Sequence, residues 1–302
     1  MAIELHEVKL PEKGTITTFS GDADENMFLF KLETYTIPGD FYRLDLATYD
    51  QDHFFKNKEY KHVTGYDYKK FAVDHITYKS KDGTSVPMTL IRKKKVLKSL
   101  KDKPNKPILT HLYGYGGFGD TCKPTHAIAN EVFINNMDGM YVVAHIRGGG
   151  EYGDDWWEQG KKEKKQNSFD DFIAAAEYLI EKGYTDSKHL LISGRSNGGQ
   201  LVAAVTNQRP DLFALVQVNV PVTDMLRYHH FSAGVNWMDE YGYVDEDGAI
   251  DYLLKYSPLH TVKQTRYPWM WVVTGDHDDR VVPSHSFKYV AELQWTAGKV
   301  PD

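Results

Sequence analysis

The sequence predicts an α/β fold, a mostly parallel sheet with helices on both faces, preceded by a short all-β segment. Three observations carry this. Beyond about residue 107, near-continuous apolar runs alternate with stretches of helical periodicity, the pattern of strands buried on both faces. One junction runs from Leu190-Leu191-Ile192 through Gly194-Arg195-Ser196-Asn197-Gly198-Gly199 into Leu201-Val202-Ala203-Ala204-Val205, and reads as strand, sharp turn, helix. Residues 1 to about 64, by contrast, hold only short alternating runs separated by turn residues.

In the all-β segment, Met27-Phe28-Leu29-Phe30-Lys31-Leu32 is a short apolar strand and Phe41-Tyr42-Arg43-Leu44-Asp45-Leu46 alternates. Gly21, Asp22, Pro38-Gly39-Asp40 and Asp50-Gln51-Asp52 punctuate them. Three or four such strands do not close a sheet, so they either expose an edge or pair with partners absent from this chain. A second unit starts near residue 65. Residues 71–78 and 86–91 are strands joined by the turn Lys81-Asp82-Gly83, and the basic stretch 92–106 reads as a solvated loop. Residues 108–112 form a strand running into Tyr113-Gly114-Tyr115-Gly116-Gly117-Phe118. Residues 140–145 form another, ending in Arg147-Gly148-Gly149-Gly150. A helix spans 170–182, with Phe172, Ile173, Ala176, Leu179 and Ile180 on its apolar face, Asn167 or Ser168 as cap and Gly183 just past its end. Residues 189–193, part of 212–220, and 269–274 supply the later strands.

Composition narrows the function classes. A net charge of −6 argues against a nucleic-acid partner. The single cysteine, Cys122, excludes an intramolecular disulfide and a cysteine metal cluster, and suits a reducing, cytoplasmic location. No stretch approaches 18 apolar residues, so no membrane span is expected.

The chemistry centres on Ser196. G-x-S-x-G is the nucleophile-elbow pattern of the α/β-hydrolase fold. By composition it arises by chance in about one chain in ten of this length, so the flanking strand and helix carry the inference. Gly194 and Gly198 suit positions where a side chain would collide with the neighbouring strand or helix. A serine hydroxyl needs a base and a group that orients the base. In this fold the order is Ser, acid, His. The loop Gly275-Asp276-His277-Asp278-Asp279-Arg280 follows the last clear strand, where ligands bind in open α/β sheets, and the chemistry leaves Asp276, Asp278 and Asp279 open as the acid. The base is the difficulty. Of 13 histidines only His285 lies beyond that loop, at the start of a helix, which suits a structural or capping role. His277 is too close to the acids. His229-His230 diverge on any regular element, so no metal site is expected. Oxyanion donors are the Asn197 N–H and a group from the glycine-rich loop after residue 112, which carries Tyr113 and Tyr115.

From residue 15 to about 300 the chain resembles the prolyl oligopeptidase family of serine peptidases. The resemblance rests on Tyr113-Gly114-Tyr115-Gly116-Gly117-Phe118, Ile146-Arg147-Gly148-Gly149-Gly150-Glu151-Tyr152-Gly153, Gly194 to Gly199, Asn207-Gln208-Arg209-Pro210-Asp211-Leu212-Phe213, Lys255-Tyr256-Ser257-Pro258 and Asp276-His277-Asp278-Asp279-Arg280-Val281-Val282-Pro283. It implies Ser196 as nucleophile, Asp278 as the acid, and Tyr115 with the Asn197 N–H as the oxyanion hole. It implies Arg280 as the residue that binds the substrate backbone and Trp237 as the indole that stacks on the substrate proline. Phe118, Val222, Tyr241, Val281 and Val282 would wall the rest of that pocket. A flat apolar ring without an N–H is selected by such an aromatic slot through shape and dispersion. The implied activity is hydrolysis of short peptides after proline, with no cofactor and a monomeric full-length form.

The chain departs from the family pattern at three places. Arg195 stands where part of the family has glycine and related branches have arginine. The family carries a seven-bladed β-propeller, of which residues 1–64 resemble only the last portion; 65–302 match the catalytic α/β-hydrolase domain. The family's catalytic histidine lies in a loop well downstream of Asp278, and this sequence stops at Asp302 before it. The expectation is therefore a fragment without useful peptidase activity and with unpaired edges that impair folding. The competing readings are a catalytically dead peptide-binding protein and an esterase of the same fold, the latter disfavoured by Trp237 and Arg280.

Overall fold

A computed structural model describes residues 6–10, 12–55 and 67–300. The first element is a four-stranded antiparallel sheet in chain order: β1 (Thr15–Gly21), β2 (Met27–Glu33), β3 (Asp40–Asp45) and β4 (Gln51–Phe55). Strand alternation puts Phe30, Leu32, Tyr42 and Leu44 on one face, where they form a small core of their own. Phe30 lies opposite Tyr42 across β2 and β3, and their rings stack with centroids 5.3 Å apart. The expected boundary near residue 64 falls outside the described residues.

The second sheet has seven strands: β5 (Phe71–Lys79), β6 (Ser85–Lys93), β7 (Thr110–Tyr113), β8 (Met140–Ala144), β9 (Leu190–Arg195), β10 (Leu215–Asn219) and β11 (Trp269–Val273), in the order β11-β10-β9-β7-β8-β6-β5. The five strands from β11 to β8 are parallel, while β6 and β5 form an antiparallel hairpin on the far edge. The sheet is thus mixed, and the strands that carry helical crossovers are the parallel ones.

Side-chain alternation shows why both faces are covered. On β8, Met140, Val142 and Ala144 join the main core, while Tyr141 and Val143 join a second cluster with Ile134 on the opposite face. Helix α1 (Ile128–Met137) covers that second face. Helices α2 (Gln166–Glu181) and α3 (Asn197–Gln208) pack together over the main core. There each fully buried Leu, Val or Phe contributes about 1.5–3 kcal/mol. Helices α4 (Ala249–Tyr256) and α5 (Ser284–Thr296) complete that layer. On the edge strand β11, Trp269 and Trp271 point away from the main core and are 82% and 59% exposed. Among the described residues no helix is long and apolar enough to cross a membrane.

Two local expectations are corrected. Helix α2 starts at Gln166, and neither Asn167 nor Ser168 caps it. A 3-10 turn, Lys162–Lys164, runs straight into α2, so the first helical N–H groups need no side-chain cap at that point. The Asn167 amide instead donates to Gln159 O, and the buried Ser168 hydroxyl donates to Arg147 O. The other end follows the pattern: Gly183 has φ +72, with Gly183 N–H bonded to Ile180 O and Tyr184 N–H to Leu179 O, a Schellman close. The second correction concerns residues 92–106. Arg92 and Lys93 belong to β6 and are buried, Arg92 pairing with Asp74 and donating to Leu97 O at 3.0 Å. A guanidinium whose donors are matched can enter a core that composition alone would deny it.

Candidate active site

Ser196 sits between β9 and α3 with φ 58 and ψ −118, a conformation rare outside glycine. Its N–H is bonded to Asn219 O on β10, and its carbonyl accepts the first helical bond from Gln200 N–H. The flanking glycines are sterically required. A Cβ at Gly194 would come within 1.9 Å of Gly198 O, and one at Gly198 within 2.9 Å of Gly114 O. The turn therefore closes only as the sequence suggested, with Ser196 raised at the end of the sheet and the first N–H groups of α3 without intrahelical partners.

Ser196 opens into a cleft of about 870 Å³, whose walls include Tyr115, Asp278, Arg280 and Val281. Tyr115 follows β7 by two residues. Burial, chiefly, and Asp120 push its phenol up to about 12, so it remains a donor, while a hydrogen bond with Ser196 acts in the other direction. Asp278 lies in the loop after β11, and its Oδ1 accepts from Arg280 N–H at 3.1 Å and Val281 N–H at 2.9 Å.

The remaining residues of the expected pocket do not line this cleft. Val222, Trp237 and Tyr241 are buried members of the main core, Phe118 packs against it, and Val282 is half-buried. Phe118, Tyr241 and Trp237, joined through Tyr228, form a connected aromatic layer. Phe118 meets Tyr241 edge-on at 5.6 Å, Tyr241 meets Tyr228 at 5.3 Å, and Tyr228 stacks on Trp237 at 6.3 Å. Asn197 joins this layer to the site: its amide donates to Tyr115 O at 2.6 Å, and its Oδ1 accepts from the Tyr241 hydroxyl at 2.9 Å.

Neither His285 nor His277 lines the cleft. His285, in the first turn of α5, is buried and its Nδ1 accepts from the Thr223 and Asp224 N–H groups, as suits a structural residue. Burial lowers it to about 4. His277 is exposed beside Asp276. No histidine lines the cleft among its described residues.

Sequence reasoning missed three features. Tyr35, between β2 and β3, reaches the cleft, and its hydroxyl donates to Cys122 O at 3.5 Å. Arg147 is buried and binds Asp171 through two nitrogens at 2.9 and 2.6 Å and Asp82 at 2.7 Å, tying α2 and the β5–β6 turn to the loop after β8. Glu240 and Lys165 form a buried ion pair beside the Tyr115 turn. Helical spacing was the available signal for the last, because Glu240 follows Trp237 by three residues and so shares its face.

A sequence profile described as the prolyl oligopeptidase family matches residues 125–301. A prolyl endopeptidase of Dictyostelium discoideum is 40% identical over 301 residues, covering 99% of this chain and 38% of that protein. One from Elizabethkingia miricola is 42% identical over 292 residues, covering 96% of this chain and 40% of its own length. The solved structure of prolyl oligopeptidase B from Galerina marginata, bound to a 35mer hydrolysis and macrocyclization substrate with a histidine replaced by alanine, superposes with a TM-score of 0.85. It is 31% identical and the match covers 95% of this chain and 40% of that one. The chain thus spans about 40% of the length of the relatives it matches. The α/β-hydrolase sheet, the elbow and a family profile matched over more than half of the residues lead to one conclusion: this chain belongs to the prolyl oligopeptidase family.

Proposed function

We propose that the Ser196 cleft is the site of a serine endopeptidase that cleaves short peptides on the carboxyl side of proline. Ser196 Oγ attacks the proline carbonyl as its proton passes to a base. The tetrahedral oxyanion takes hydrogen bonds from the Tyr115 hydroxyl and the Asn197 N–H, and collapse expels the amine and leaves an acyl-enzyme for water to hydrolyse. Asp278 orients the base, Arg280 holds the substrate backbone, and Val281 on the cleft wall meets the proline ring, while Trp237, Val222 and Tyr241 stay packed in the core with Phe118 against them. The observation that supports this most is the strained Ser196 backbone opening into one cleft with Tyr115, Asp278 and Arg280.

These residues carry the nucleophile, acid and oxyanion donors without a histidine beside them. Peptide binding without turnover is the activity proposed for them alone. The test is the affinity of the purified chain for a short peptide amide with proline at the cleaved position, against the same peptide with alanine there. Proline should be preferred about tenfold, and equal affinity would overturn the reading. A chromogenic proline reporter should not be turned over. Turnover abolished by Ser196→Ala would show that a base has been overlooked.

A further inference from the structure

Glu240 and Lys165 are charged side chains each 1% exposed, and their bonds converge on the turn that carries Tyr115. Glu240 Oε2 accepts from the Phe118 backbone N–H at 2.9 Å and from the Trp157 indole N–H at 2.7 Å. Its Oε1 accepts from Lys165 Nζ at 2.8 Å, and the same ammonium donates to Gly116 O at 2.9 Å. Both charges therefore grip the backbone just after Tyr115, while Asn197 grips Tyr115 O. The turn has need of such grips: Gly116 has φ +62 and Phe118, a bulky residue, has φ 59.

A buried ion pair is a weak source of stability, because apolar side chains of similar volume hold a fold as well or better. What the pair supplies that apolar packing does not is direction, with four hydrogen bonds of fixed geometry around one turn. We infer that Glu240 and Lys165 are positioning residues for the oxyanion turn. They set the Tyr115 hydroxyl against Ser196 Oγ, without touching substrate themselves. This rests on the proposed roles of Ser196 and Tyr115.

The test uses the 302-residue chain and two probes: a short peptide ending in boroproline, which adds to Ser196 as a tetrahedral oxyanion mimic, and the same peptide ending in prolinamide. Glu240→Gln alone would leave a buried ammonium uncompensated, so the double variant Glu240→Gln/Lys165→Met is measured. It should fold with nearly unchanged thermal stability. Amide hydrogen exchange at residues 116–118 should quicken at least about tenfold, and the preference for boronate over amide should fall at least about tenfold, with prolinamide affinity held within about twofold. Unchanged exchange, an unchanged preference, or equal loss of both probes would each overturn the inference. Should the double variant not fold, Lys165→Met alone, which removes the bond to Gly116 O, must show the same two changes. If the wild-type chain shows no boronate preference, or one insensitive to Ser196→Ala, the reading of Ser196 fails. Amide exchange then decides by itself whether the pair holds the turn.

Discussion

On one flank of Ser196, the turn after β7 is held by Asn197, Lys165 and Glu240, which reach it from three separate parts of the chain. On the other, Asp278 is held mainly by its own loop, through the amides two and three residues onward, and its neighbours Asp276 and His277 are 86% and 94% exposed at the side chain. The Tyr115 flank is tertiary and desolvated; the Asp278 flank is local and wet. Charges on the first flank are costly to disturb because nothing replaces their partners, whereas water can replace a lost contact on the second.

The largest effect expected is one that breaks both flanks together. Gly194→Ala drives a methyl group into Gly198 O and should cost at least about 4 kcal/mol, read from the urea midpoint. A midpoint shift below about 1 kcal/mol would mean that the elbow has room that its backbone does not show.

Acid should weaken the fold through its buried histidines, His111 and His285 most. His111 on β7 is within 2.6 Å of the Ser193 hydroxyl, and His285, in the first turn of α5, accepts from the Thr223 and Asp224 N–H groups. Burial lowers both from 6.5 to about 4. Between those values the unfolded chain binds protons that the native chain refuses, so stability is lost as pH falls from 6.5 to 4, on the order of 3 kcal/mol per histidine. Urea titrations across that window check it. His285→Gln should flatten the dependence in part, because burial also lowers His75, His229 and His260, and an unaltered slope would show that His285 contributes nothing to it.

The smallest effect sharpens the contrast. Asp278→Asn keeps a carbonyl oxygen that can accept from the Arg280 and Val281 amides, so stability should change by less than about 0.5 kcal/mol. A loss comparable to that of Gly194→Ala would show that the acid flank is as tightly determined as the other.

Much of the fold was legible because its signals are local. The elbow needed only two glycines and an apolar strand and helix, and the hairpin needed only Lys81-Asp82-Gly83 between alternating runs. The start of α2 was misread because a preceding 3-10 turn satisfied what a cap would have. Arg92 was misread because a charge reads as solvated until its partners, Asp74 and Leu97 O, are known. Within the site, Ser196 was named from the chain's local pattern, and Tyr115, Asp278, Arg280 and Val281 from the family resemblance, and the five share one cleft. Tyr35 was invisible because no pattern in a four-stranded sheet indicates that the connection after β2 reaches another sheet's cleft.

By itself, then, the sequence determined the strand–turn–helix at Ser196 and the succession of parallel strands, since each follows from sterics or periodicity over a few residues. Only the tertiary structure decided how the turn that carries Tyr115 is held. A buried carboxylate and ammonium are read as surface charges until the fold removes water from them and leaves each other, and the turn at Gly116 and Phe118, as their partners.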